Sequence, residues 1–467
     1  MNKSKIKPRP DRAFALANAQ SFDLHMYSDS PNVRRLGDEL FQQHIREPNR
    51  SSLVTIRPVL DCVVLNLVDA YEKDPKRYVR LSLRYDRYRR SRYNPLEIGR
   101  DNLRRIIDRL LKAGLLEFEK GIPARQGFVG GKQSRIRATT RLMEVATRYQ
   151  VSSASIRHCH DETIILRGPK QDGYKPLIDY KETPATRRMR QRLRVINERI
   201  AAANKGLDIY LDHRDAERLK ERLLQDPERD PVDLTKIRLR RIFNNGSFKE
   251  GGRFYHGWWQ QLPREFRCFV QINGRVTTEL DYSAMHIGIL YAQVGLSLNA
   301  DPYMLPGATD KERPIIKTAL NAAINAEDLK SAEAAIRYQA IRTPLPKSYS
   351  DACALLAALL DRHDPIRKYI GSGEGLRGQY IDSKIAERVM LGLGERQTIV
   401  LPVHDSFIVE HDRVDELADA MRTAYKEEVG RSCKVDVKTP IWLTDNYDQP
   451  PPLDFRDLHP DMDTRTI

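Results

Sequence analysis

Two acidic residues sit where a chain can hold a carboxylate still. In Val400-Leu401-Pro402-Val403-His404-Asp405-Ser406-Phe407-Ile408-Val409, an apolar run, a polar tripeptide and a β-branched run read as a tight hairpin with Asp405 at its tip. Upstream, Val276-Thr277-Thr278-Glu279-Leu280-Asp281-Tyr282-Ser283 puts Asp281 at the end of a second strand, and the apolar spacing Met285, Ile289, Ala292 reads as a helix after it. Strand ends hold side chains more rigidly than loops do. Brought together, two such carboxylates suit two-metal phosphoryl transfer, one ion activating the attacking oxygen and the other steadying the leaving group. The bland alternative is two unrelated strand ends with solvated acids, since Asp is common near turns.

A third segment falls between them. Arg313, Lys317, Asn321 and Asn325 recur every four residues and form one stripe of a helix whose first turn holds Pro314. A basic stripe facing two carboxylates is a place for a triphosphate, with Lys317 as a point charge on it.

In order and content these segments resemble the motifs of family A polymerases, the bacterial DNA polymerase I family and its single-subunit RNA polymerase relatives. Asp281-Tyr282-Ser283 matches motif A, Arg313 to Lys317 the finger helix, and His404-Asp405-Ser406 motif C. Gly251-Gly252-Arg253 resembles the Gly-Arg element ahead of motif A, and Gln379 to Met390 the helix leading into motif C. The likeness covers residues 237 to 445, about half the chain. It implies an α+β right-hand architecture of palm and fingers, and two Mg²⁺ ions on Asp281 and Asp405. It also implies nucleoside triphosphates held by Lys317 and Arg313, a positioning role for His404, and a duplex contact from Arg253. His286, Asn321, Asn325, Tyr282 and Gln379 fall at substrate-facing positions. The chain departs from the family where the DNA enzymes carry Glu (here His286) and stacking aromatics (here Asn321 and Asn325). His-Asp-Ser leans toward the RNA enzymes and Asp-Tyr-Ser toward the DNA enzymes, so the sugar stays open.

The front half carries a different signal. Residues 53 to 72 read as an apolar-faced helix. Arg100 to Leu116 reads as a second, with Leu103, Ile106, Ile107 and Leu110 on one side, Arg104, Arg105 and Arg109 on the other, and Gly114 at its end. Leu115 to Glu119 and Ser134 to Thr139 then read as two strands around a turn with Gly127, Gly130 and Gly131. This plan resembles a winged-helix domain, and implies DNA contacts by Arg100, Arg104, Arg105, Arg135 and Arg137; a protein-binding winged helix is the alternative. Arg84, Arg87, Arg89, Arg90 and Arg92, interleaved with Tyr85, Tyr88 and Tyr93, favour nucleic acid.

Composition agrees with a polyanionic partner: the net charge is +15 over 467 residues. Five scattered cysteines fit a reducing compartment rather than a disulfide scaffold, and His158-Cys159-His160 reads as a surface loop rather than a metal site. No stretch has the length and apolarity of a membrane span or a signal peptide, which reads as a cytoplasmic protein of a bacterium or phage. The expected organisation is a basic arm (1–50), a winged helix (51–150), a connecting segment (151–183), a helical thumb-like region (184–236), palm and fingers (237–445) and an acidic Pro-containing tail (446–467). The reading is a DNA polymerase acting on primer–template DNA, with an RNA polymerase or primase, a terminal transferase and a non-catalytic replication initiator as alternatives. Template need and oligomeric state are not legible.

Overall fold

The computed structural model describes residues 19–46, 53–121, 132–159, 162–171, 174–224, 231–341, 344–438 and 453–454. It is a mixed α+β structure whose apolar side chains gather in three large clusters, one in the front third and two behind it.

The front cluster lies under a four-stranded sheet ordered Gln20–Ser21, Val79–Leu81, Ser134–Ala138, Leu116–Glu119. The helix Arg100–Lys112 forms because Leu103, Ile106, Ile107 and Leu110 recur at helical spacing and bury together, leaving Arg104 and Lys112 exposed. It stops where expected: Gly114 takes φ +69°, and Leu115 N–H reaches back to the Leu110 carbonyl at 2.9 Å. Residues 20–45, expected as part of a polar arm, instead form two short strands and the helix Pro31–Leu40. Val33, Leu36, Leu40, Phe41 and Ile45 pack against the helix Leu53–Lys73. The high charge of the first 50 residues masked an apolar stripe spaced by three and four. The turn holding Gly127, Gly130 and Gly131 lies outside the described residues, as do residues 1–18.

Behind it, a larger sheet runs Leu401–Val403, Ser406–Glu410, Arg275–Tyr282, Val270–Ile272, Leu207–Leu211, Leu453–Asp454, with Val435–Lys438 also pairing Arg275–Tyr282. Two expectations change here. The region 184–236 is not helical throughout: Leu207, Ile209 and Leu211 bury alternately and make a strand of this sheet. The segment 151–183 does more than connect, since Ile164–Leu166 pairs parallel to Arg240–Asn244 in a three-stranded sheet completed by Ser247–Tyr255. A three-residue strand is too short for its periodicity to announce it. Leu453–Asp454 pairs with Leu211 and Tyr210, so that part of the expected tail joins the sheet; its other residues lie outside the described set.

The helix Gly375–Glu395 packs on the strand Ser247–Tyr255 and shares a core with the larger sheet. Arg241, 2% exposed, donates to Glu387 Oε1 at 2.9 Å, to Ser383 Oγ at 3.0 Å and to the Gly252 carbonyl at 3.0 Å. Gly252 has φ +83°, and a Cβ there would stand 2.7 Å from the Phe243 ring and 2.9 Å from Ser383 Oγ. Gly252→Ala is therefore expected to cost about 2 kcal/mol; an unchanged urea midpoint would show that the strand relaxes freely.

The third cluster holds the helix Arg313–Asn325. Ile316, Ala319, Leu320, Ala323 and Ile324 are buried in one cluster with the helices Leu329–Ala340 and Ala352–Arg362. The Arg313, Lys317, Asn321, Asn325 stripe faces away from them.

Candidate active site

Register brings the two acids together. Arg275–Tyr282 pairs antiparallel with Ser406–Glu410, placing Asp281 opposite Ser406, next to Asp405 in the turn that begins at Ser406's strand end. Tyr282 N–H points to the Asp405 carbonyl at 3.4 Å. His404 turns the chain at φ +63°, a conformation costing a non-glycine residue on the order of 1 kcal/mol. Burial, and then the facing charge of Asp405, raise the Asp281 carboxyl above its usual range; Lys438 and, more weakly, Lys317 oppose this.

Strand alternation decides the neighbours. Asp281 shares a face with Glu279, while Tyr282 points the other way into the core, 4% exposed, its hydroxyl donating to the Met421 carbonyl at 2.7 Å. The expectation of a substrate contact from Tyr282 is thereby corrected: the ring packs against Phe407 and Tyr425. Glu279 accepts from Ser406 Oγ at 2.6 Å and Arg267 Nε at 3.0 Å, and pairs with Lys438. Burial pushes Glu279 up, but Lys438 and Arg267 outweigh it and hold the carboxylate below its usual value. Lys438 Nζ also lies 3.5 Å from Asp281 Oδ2.

The basic stripe divides its labour. Lys317 is exposed, with Nζ 5.5 Å from the centre of the Tyr303 ring. Arg313 is engaged by Asp301 at 2.5 Å and lies over the same ring at 5.0 Å. Asn325 donates to the Asn321 carbonyl at 2.7 Å, and its Oδ1 fits where Gly375 has no side chain: a Cβ there would stand 1.9 Å away. Gln379 is half-buried one turn further along that helix.

Arg253 departs from expectation. Its guanidinium faces inward, 15% exposed, with Nε 2.8 Å from Asp382 Oδ2 and a terminal nitrogen 3.1 Å from His286 Nε2. His286 Nε2 is itself 2.9 Å from Asp382 Oδ2. An Arg with its fork committed to a buried acid is not free to grip a duplex. Asp382 has a side chain of 0% exposure, and its Oδ1 finds no hydrogen-bond partner among the described residues. His404 Nδ1 is likewise buried without one; burial first, and then the Arg253 charge, lower the pKa of this imidazole. The Tyr255 ring meets His404 edge-on at 5.1 Å.

Asp382, Glu279 and Lys438 were missed by sequence reasoning. Asp382 did carry a signal: it lies in phase with Gly378, Ala386 and Val389 on the buried stripe of its helix, where an acid needs a reason. Lys438 carried none.

No group of three or more His, Cys, Asp or Glu among the described residues is placed to hold a metal. Two carboxylates are nonetheless enough for Mg²⁺, a hard cation usually held by one or two carboxylates, water and substrate phosphates. The donors at Asp281 and Asp405 fit it.

In the front third of the chain the five arginines separate. Arg104 is exposed, and Arg100 and Arg105 are half-exposed. Arg137 pairs with Glu117 at 2.6 Å and covers the Tyr78 ring. Arg135 is only 4% exposed, in the middle strand of its sheet opposite Arg80 and Glu119, which removes it from any groove. Of the Arg–Tyr run, Arg92 is held by Asp179, Glu162 and Glu182, and Tyr93 is buried.

No family model matches the chain, and no curated protein matches it. Among solved structures it is similar to the polymerase domain of Pol1 from M. smegmatis, in complex with a DNA primer-template and dNTP. That likeness has a TM-score of 0.33 and 13% identity, and covers 88% of this chain and 66% of that one. A similarity of this size carries no functional argument. No described helix is long and apolar enough to cross a membrane.

Proposed function

We propose that the chain is a template-directed nucleotidyltransferase, a DNA polymerase that joins a primer 3′-hydroxyl to the α-phosphate of a nucleoside triphosphate and releases pyrophosphate. The observation that carries this reading is the cross-strand placement of Asp281 beside Asp405, with the exposed Lys317 near enough to bias Asp281. When bound, Mg²⁺ supplies charge neutralisation at the phosphates and acidifies the attacking hydroxyl. The chain's own groups orient the reactants. Lys317 holds the triphosphate as a point charge, while Arg313 stays on Asp301 and braces the Tyr303 ring beneath Lys317. Asp382 holds Arg253 and His286 as one unit, near enough to Asp405 for its charge to act on Arg253. The imidazole so held would fill space beside the sugar, which favours deoxynucleotides. The front domain would present Arg104, with Arg100 and Arg105, to duplex DNA. Catalysis here is positioning and charge stabilisation rather than covalent chemistry.

Primer extension on a labelled primer–template with Mg²⁺ tests the reading, with deoxynucleotides, ribonucleotides and no template compared, and Asp281→Asn as control. Template-dependent extension that the variant loses supports it. Extension equal in the variant, or silence in every condition despite tight duplex binding, overturns it.

A further inference from the structure

One face of the three-stranded sheet carries more cations than carboxylates. Alternation along the paired strands puts Ile165 and Arg167 on that face, beside Ile242 and Asn244 of the central strand and Tyr255 of the third. Ile165, Ile242 and Tyr255 do pack together there with Tyr93 and Leu177. Arg167 is half-buried, and no carboxylate is among the groups that act on it. Those groups are Tyr255, Arg87 and Tyr174. Lys175 donates to Asn244 Oδ1 at 3.0 Å, and Lys170 stands exposed on the same turn. Glu250 and Glu327 influence Lys175, but Glu250 also accepts from Asn245 at 2.8 Å. On the facing segment Arg87 is exposed, Arg84 covers the Tyr174 ring at 4.1 Å, and Tyr85 is 62% exposed. Asp86, the carboxylate of that segment, pairs with Arg84 at 3.3 Å and also acts on Tyr174.

Burial first, and then Arg87, hold Arg167 below its usual pKa; burial, Arg167 and Lys170 do the same to Lys175. Cations that outnumber the carboxylates around them among the described residues are stabilised by a polyanion. The cations belong to two separate chain segments, so the fitting anion is extended rather than a single phosphate. Aromatic faces among them suit unpaired bases. The far edge of the same sheet face is Tyr255, in contact with His404 of the hairpin that bears Asp405.

We propose that Arg87, Arg167, Lys170 and Lys175, with Tyr85 and Tyr174, bind the phosphate backbone of a single nucleic-acid strand on its way to the catalytic hairpin. The strand's destination rests on the polymerase reading; the binding itself does not.

The test is fluorescence anisotropy in EDTA without nucleotides, using labelled primer–templates with a template overhang of about ten nucleotides, a length within one strand-binding site, and blunt duplexes of the same sequence. Arg167→Ala with Lys175→Ala is expected to weaken overhang binding about tenfold and to flatten its salt dependence by about two phosphate contacts, leaving blunt duplex unchanged. Lys170→Glu and Arg87→Glu, both exposed and safe for folding, are expected to weaken it severalfold each. Wild-type affinity for the overhang in the folded variants overturns the proposal. So does loss of blunt and overhang binding alike, or competition by inorganic tripolyphosphate with no effect of overhang length. A chain that extends primers but ignores these substitutions refutes this strand path alone; one that binds overhangs through them yet never extends refutes the polymerase reading alone.

Discussion

Asp405→Asn is expected to lower nucleotide incorporation at least ~1,000-fold while leaving primer–template affinity within about twofold. Removing a metal-binding carboxylate forfeits several kcal/mol of transition-state charge stabilisation, and each ~1.4 kcal/mol is tenfold in rate. Steady-state extension kinetics and anisotropy on the same preparation check both halves. Residual synthesis above one per cent would remove Asp405 from the chemistry. Asp281→Asn should be equally inactive and carries a second signature. Burial and Asp405 raise its folded-state pKa, so the folded chain prefers this carboxyl protonated. Its favourable contribution is therefore present at low pH and lost as pH rises through the folded value. At neutral pH without metal the variant should be more stable than wild type, on the order of 1 kcal/mol, because one of two facing charges is gone. Mg²⁺ should raise the melting temperature of wild type and not of the variant. A wild type indifferent to Mg²⁺ would argue that Lys438, 3.5 Å from Asp281, keeps that carboxylate for itself.

Glu387→Ala is the largest expected loss of stability, about 3–5 kcal/mol, because it strands a fully buried guanidinium. Arg241 has three acceptors, Glu387, Ser383 and the Gly252 carbonyl, and only the first is charged. The second partner of Glu387, Arg192 at 3.0 Å, is 57% exposed and reaches water instead. Chemical denaturation measures the loss directly, and Arg241→Met in the same background should recover part of it by removing the unpaired charge. A cost below 1 kcal/mol would mean water reaches Arg241. The consequence passes to the site: Gly252, gripped by Arg241, directly precedes Arg253, and Ser383 directly follows Asp382. Loosening the pair should therefore lower extension well below the melting transition.

Much of this was legible in the residues. The hairpin at Asp405, the strand end at Asp281, the Arg313-to-Asn325 stripe and the stop at Gly114 follow from periods of two and nearly four and from glycine's freedom at positive φ. The outward and inward sense of neighbouring side chains is also periodic, yet the face chosen for Tyr282 had to be seen. Arg135 shows the same gap: its strand was expected, its burial between two other strands was not. Residues 20–45 and Ile164–Leu166 were misjudged because charge and shortness hid their apolar pattern.

Which residues share a face and where the elements stop are properties of a few consecutive peptide units, and the residue order settles them. What lies opposite each face is settled only when distant segments pack. Arg253 meets Asp382 across 129 residues, Arg241 meets Glu387 across 146, and Lys438 meets Glu279 across 159. No local period encodes such a meeting; it arises when separate apolar faces bury together and bring their polar residues along.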